Sequence, residues 1–174
     1  MGRRGACVQV THDGVIHEGI DCGDATVIHL DDKAASIVRS TVGEFGRGKR
    51  PTVMEYEDQD EPEVVLRRAT SKLGPNRDFR SGVHFVHWCL DSFFSKTVDE
   101  LIAEFNREVG GEGWARARGV YLSKLREALL GTKLDCSAFI NQQGMSLRQR
   151  ITRDGDKLVP VGPLTGSGAV IPVG

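Results

Sequence analysis

No apolar run in this chain approaches the ~18 residues that a helical membrane crossing needs, so a bilayer-spanning helix is not expected. The opening Met1-Gly2-Arg3-Arg4 has no hydrophobic core segment of a secretory leader. Gly2 does not complete a myristoylation signal, because Ala6 stands where that signal wants serine or threonine. No two cysteines make a C-x-x-C pair: Cys7, Cys22, Cys89 and Cys136 are spread irregularly, which argues against a zinc knuckle or a redox motif. Reduced thiols and a soluble, cytoplasmic protein are the expectation, with a viral particle or a host cell as the other setting left open. Charge of one sign is also missing. Lys and Arg number 23 against 24 Asp and Glu, a net charge of -1, so no global field selects nucleic acid or a membrane surface. The short basic spots Arg3-Arg4, Arg47 to Arg50 and Arg148 to Arg153 read as solvated surface. There is no internal repeat, and neither a cofactor nor a metal is implied.

What is present suits one globular domain with an appendage: 174 residues, 39% hydrophobic and 27% charged. Strands are expected at Ala6 to Val10, Val15 to Asp21, Thr26 to Leu30, Ser36 to Thr41 and Pro51 to Tyr56. Thr11-His12-Asp13-Gly14 and Gly23-Asp24-Ala25 supply turns between the first three, and a Gly-containing bend joins the last two. After an acidic loop, Pro62 opens a helix whose stripe is Val64, Val65, Leu66, Ala69 and Leu73, ended by Gly74-Pro75. Val83 to Phe94 reads as a buried helix. Thr97 to Glu100 is a capping-box pattern for a helix to about Val109, and Trp114 to Leu130 is a further helix. Leu101, Phe105, Tyr121 and Leu125 are the expected buried stripe of that pair. From Gly131 onward, seven glycines and three prolines accompany short Val and Ile runs without helical period. A hairpin is expected over Ile151 to Val159, then an extended tail past about 160 that would be ordered by another chain. The fold class expected is α+β, with residues 1–95 as a core domain and 96–174 as an extension.

The segment His17 to Leu30, HEGIDCGDATVIHL, carries the chemistry. One histidine opens a strand and a second closes its partner, so antiparallel pairing brings the two strands' side chains together. A base histidine with an orienting polar group is what a thiol or hydroxyl nucleophile requires. The segment resembles the histidine box of the lecithin–retinol acyltransferase-like family, at His17, Gly19, Ile20, Gly23, Asp24, Val27, Ile28, His29 and Leu30. The resemblance extends over roughly residues 6 to 95. It implies a permuted papain-like fold, with His17 as base, His29 as its orienter, and a nucleophilic cysteine at the start of a later helix.

In that family the cysteine sits in an Asn-Cys-Glu-His-Phe motif followed by Trp-Cys. Here the stretch is Ser81-Gly82-Val83-His84-Phe85-Val86-His87-Trp88-Cys89, in which His84, Phe85, Trp88 and Cys89 match. Gly82 holds the nucleophile position, and glycine has nothing to attack with. Cys89 lies about two helical turns on, too far to serve the same histidine, and reads as a packed core thiol. Cys22 is turn-adjacent. Ser81 is a weak alternative nucleophile whose ordinary role is a helix N-cap. His84 and His87 have a metal-compatible i, i+3 spacing but read as satisfied histidines. The expectation is therefore an acyltransferase-like domain without its thiol, reused for binding or assembly. Its partner would be a protein or a second copy met through the C-terminal region, with a lipid or acyl ligand as a further candidate. The alternative is an active acyltransferase or hydrolase that uses Ser81 with His17 and His29.

Overall fold

Asp13 and Gly14 set the first register. Both take positive φ (50° and 78°), the pair a two-residue type I′ turn demands. They join β1 (Cys7–His12) to β2 (Val15–Asp21) with His12 opposite Val15 and Cys7 opposite Ile20. β3 (Thr26–Asp31) and β4 (Ser36–Thr41) continue the antiparallel meander. The chain is described from a computed structural model, which covers residues 2–109, 116–140 and 149–161.

The Gly-containing bend expected after β4 is instead a short helix, α1 (Val42–Gly46). Thr41 and Glu44 form a capping box: Glu44 N donates to Thr41 Oγ1 at 3.2 Å, and Thr41 N donates to Glu44 Oε2 at 2.8 Å. Reciprocal capping satisfies free donors that five residues alone could not. β5 (Thr52–Met54) is shorter than the run expected there. α2 (Pro62–Ser71) starts on its proline and buries Val65, Leu66 and Ala69, whereas Leu73 lies beyond the helix and is 42% exposed. Gly74 and Pro75, expected only to stop that helix, also pair with β4 as the two-residue strand β6 (Gly74–Pro75). α3 (Gly82–Leu90) ends sooner than expected, because Asp91 turns extended (φ -122°, ψ 127°) and leaves Phe93 and Phe94 outside.

The fold is α+β, with an antiparallel six-stranded sheet in the order β5-β1-β2-β3-β4-β6. One face packs on α2 and α3 through Cys7, Ile20, Ile28, Leu30, Ile37 and Phe85. The alternate residues Val8, Val10 and Val27 form a second cluster with Phe45 of α1. These elements make up one compact unit, Met1–Lys96; the other is Thr97–Gly174.

In the second unit Thr97 caps α4 (Val98–Val109), with Thr97 N donating to Glu100 Oε2 at 2.7 Å. α5 (Arg116–Leu130) and the single turn α6 (Ser137–Ile140) follow, the latter inside a stretch where no helix was expected. β7 (Arg150–Asp154) and β8 (Lys157–Val161) form the expected hairpin. Leu101, Phe105 and Leu125 are buried and Tyr121 is half-buried, its hydroxyl donating to Glu104. The tail expected to be extended lies outside the described residues. No helix among the described residues is long and apolar enough to cross a membrane.

Asn106 ties α4 to the hairpin: its Nδ2 donates to Ile151 O at 2.7 Å, and its Oδ1 accepts from Ile151 N at 2.8 Å. Asn106→Ala leaves both peptide groups without a partner beside a side chain that is 1% exposed. The expected loss is about 1–3 kcal/mol. Hydrogen exchange at the Ile151 amide measures it, as a loss of protection larger than at the amides of α5.

Candidate functional site

Residues 17–21 and 26–30 lie on β2 and β3, where Gly19 pairs with His29 and Ile20 with Ile28. Glycine at 19 allows this approach, since a Cβ there would stand 2.4 Å from Val27 Cγ1 and 3.1 Å from His29 Cβ. Successive strand residues point to opposite faces. Ile20, Ile28 and Leu30 face α3. His29, between Ile28 and Leu30, and His17, an odd number of residues from Ile20 and paired with Val10, are thereby sent to the face of Val8, Val10, Val27 and Phe45. The contacts agree with the alternation. The His17 ring lies 5.4 Å from that of His12, and the His29 ring 4.9 Å from that of Phe45. His29 Nε2 is 3.0 Å from Ser40 Oγ, and its Nδ1 is 3.3 Å from Leu30 O.

Burial pushes the His29 imidazole below its ordinary pKa. Leu30 O and Asp31 favour its cation, and the charges of His17 and Arg47 oppose it. His17 and His29 lie on the same face of the sheet, on the neighbouring strands β2 and β3.

Residue 82 belongs to a different neighbourhood. Gly82 opens α3, and a Cβ there would lie 3.7 Å from the carbonyl oxygen of Glu18 and 3.9 Å from Leu30 Cβ. No atom of His17 or His29 comes within 4 Å of that point. The expectation that His17 faces the start of this helix is corrected by strand parity: Glu18 and Leu30 turn toward α3, so their neighbours turn away.

Ser81 is the N-cap of α3, in extended conformation (φ -151°, ψ 167°). Its Oγ accepts from His84 N at 3.4 Å and lies 2.8 Å from His84 Nδ1. The residues are one turn apart, which explains the contact. A hydroxyl bonded to an imidazole at a helix start is also the local geometry of an activated nucleophile. His84 therefore enters the site through Ser81. His87 packs its ring edge on Tyr56 at 5.6 Å between centroids. Among the described residues, no group of three or more His, Cys, Asp or Glu side chains is arranged to hold a metal ion.

Sequence reasoning passed over Glu18. It is 6% exposed on the α3 side of the sheet, where Gln9 Nε2 donates to its Oε1 at 3.2 Å. Its Oε2 is buried without a hydrogen-bond partner. Burial, followed by the charge of Glu18, pushes the Cys7 thiol up to about 12, although a Tyr56 hydrogen bond pulls the other way. The Tyr56 phenol is raised as well, by burial and then by Cys7 and Glu18. The one available signal was parity: Glu18 falls on the same strand face as Ile20.

All four cysteines are buried and free. Cys89, fully buried, is raised by desolvation despite the nearby Arg68 and Lys72. Neither Cys7 nor Cys89 has the thiolate character that a nucleophile needs. A cleft of about 570 Å³ opens beside Tyr56, between Arg3, Arg4, Met54 and Pro62. His17, His29, Ser81 and Gly82 are not among its walls. No family model matches the chain, and no curated protein matches it.

Proposed function

We propose that the first unit is a lecithin–retinol acyltransferase-like domain that has lost its thiol and acts by binding or assembly. Glycine at the helix-opening position 82 carries this reading. The helix N-terminus that would favour a thiolate is present, but no side chain there can form the acyl-enzyme. The raised Cys7 and Cys89 do not replace it. The partner is a protein or a second copy, engaged through the C-terminal unit, and a lipid or acyl chain is the ligand class that the resemblance implies.

One observation favours a second reading, the 2.8 Å approach of Ser81 Oγ to His84 Nδ1. In that reading Ser81 attacks an acyl carbonyl, His84 takes its proton and returns it to the leaving group, and the amides of the first turn of α3 face the developing oxyanion. Exposure of the full chain to a fluorophosphonate and to a thiol-directed acyl probe separates the two readings. Binding alone predicts no labelling with either probe. Fluorophosphonate labelling abolished by Ser81→Ala would establish the hydrolase instead. Because Ser81→Ala also removes a cap, at about 1 kcal/mol, its fold is verified by circular dichroism in the same experiment.

A further inference from the structure

The five residues of α1 are held against the sheet largely by Phe45, which is 5% exposed. Histidines surround it. His12 Nε2 lies 3.1 Å from Phe45 O, the His29 ring lies 4.9 Å from the Phe45 ring, and His17 is 5.4 Å from His12. His12 is 8% exposed. Under this cover are Val8, Val10 and Val27, each at most 5% exposed. We infer that the histidines packed around Phe45 make α1 and its turn to Lys49 an acid-released cover over an apolar sheet face. This goes beyond the proposed function, because it concerns the face opposite α3 and needs no chemistry at residues 81 or 82.

Polar and titratable groups from four strands and α1 meet there. On β1, His12 stands beside Thr11, whose carbonyl accepts from Lys49 Nζ at 2.7 Å. On β2 there is His17, and on β3 His29 with Asp31. On β4, Ser40 is neutral. On α1 and its turn, Glu44 is committed to capping Thr41, and Arg47 adds a cation. Asp31 favours the His29 cation, but its Oδ1 already accepts from Lys33 N at 2.9 Å and Ala34 N at 3.2 Å. Protonating His29 sets its charge against that of Arg47.

The covered His29 binds a proton less readily than an exposed histidine. The released state therefore binds more protons, and the covered state loses stability as pH falls from the ordinary histidine value near ~6.5 toward the lower covered value. Above that window both states are neutral at His29 and the cover stays closed.

The test is amide exchange on the full chain at about pH 7.5 and about pH 5.0, spanning the ordinary histidine range and corrected for intrinsic rates. The amides of Arg47 and Lys49, bonded to Glu44 O and Gly46 O, report on the cover; Phe85 N, bonded to Ser81 O, reports on the core. The expected result is a loss of protection of about tenfold or more in the cover at the lower pH, with Phe85 unchanged. In His29→Gln, whose side chain stays neutral, that loss should shrink. Equal protection at both pH values overturns the inference, as does a parallel loss at Phe85, which would mean global unfolding. Full pH dependence retained in a folded His29→Gln overturns it too. If that variant does not fold, the wild-type comparison decides alone.

Discussion

Replacing Phe85 with alanine should remove about 4 kcal/mol of stability from the first unit, within the ~3–5 kcal/mol typical of such truncations. Phe85 is fully buried on the inner side of α3, and its ring sits 5.4 Å from that of Phe79 in an edge-on contact. It joins the helix to Ile20, Ile28 and Leu30 of the sheet and to Val65 and Ala69 of α2. The neighbouring backbone is paired into a sheet and two helices, so it has little freedom to collapse into the void, and most of the cavity term persists. Denaturant unfolding should show a lower midpoint with an unchanged slope. A loss near 1 kcal/mol would mean that the core relaxes around the gap, and that α3 is held less firmly than its burial implies.

Gly5→Ala should be nearly as damaging for a different reason, with an expected loss of about 3 kcal/mol from left-handed backbone strain plus collision. Gly5 has φ +76°, and a Cβ there would stand 2.7 Å from Pro62 Cα and 3.0 Å from Pro62 O. The obstruction is the first turn of α2, which cannot rotate aside as a side chain would. Gly5 is also pinned, with its N–H donating to Asp21 O at 2.7 Å and its carbonyl accepting from Gln59 Nε2 at 2.8 Å. Gly48→Ala is the matched control, because Gly48 has φ +83° and nothing within 4 Å of a Cβ. Only the strain of ~1–2 kcal/mol should appear there. The difference between the two variants, read from urea midpoints, isolates the clash; equal losses would mean that α2 shifts to admit the methyl group.

The strands were legible because their signals are local. A turn before Val15 and the run of Val15 to Asp21 mark the first hairpin, although the turn is two residues shorter than Thr11 to Gly14 because Thr11 and His12 stay paired with Ile16 and Val15. α1 escaped notice because five residues cannot display a helical period, although the pair that caps it, Thr41 and Glu44, stood in the sequence. The apolar run predicts α3 four residues longer than it is at its C-terminal end, since Phe93 and Phe94 extend that run while Asp91 breaks the backbone. At the candidate site the residues were legible but their facing was not. Histidine at 17 and 29 can be read directly, whereas the side of the sheet on which α3 packs depends on where Leu30 and Ile20 find their core. That choice is made by tertiary packing, and it moves Glu18 inward while turning His17 outward. The contact of Ser81 with His84 needed only the one-turn spacing on a capped helix, so it was within reach of the sequence.

The sheet ends on β5, three residues long, and on β6, two residues long with Pro75 as one of them. A sheet margin normally offers a ladder of free peptide groups to any extended chain that drifts by. Here one margin is too short to hold a visitor in register, and the other has lost a donor to proline. Crowding such molecules together should therefore not seed fibres by strand addition to this sheet, and its rims leave recognition to the faces and the loops.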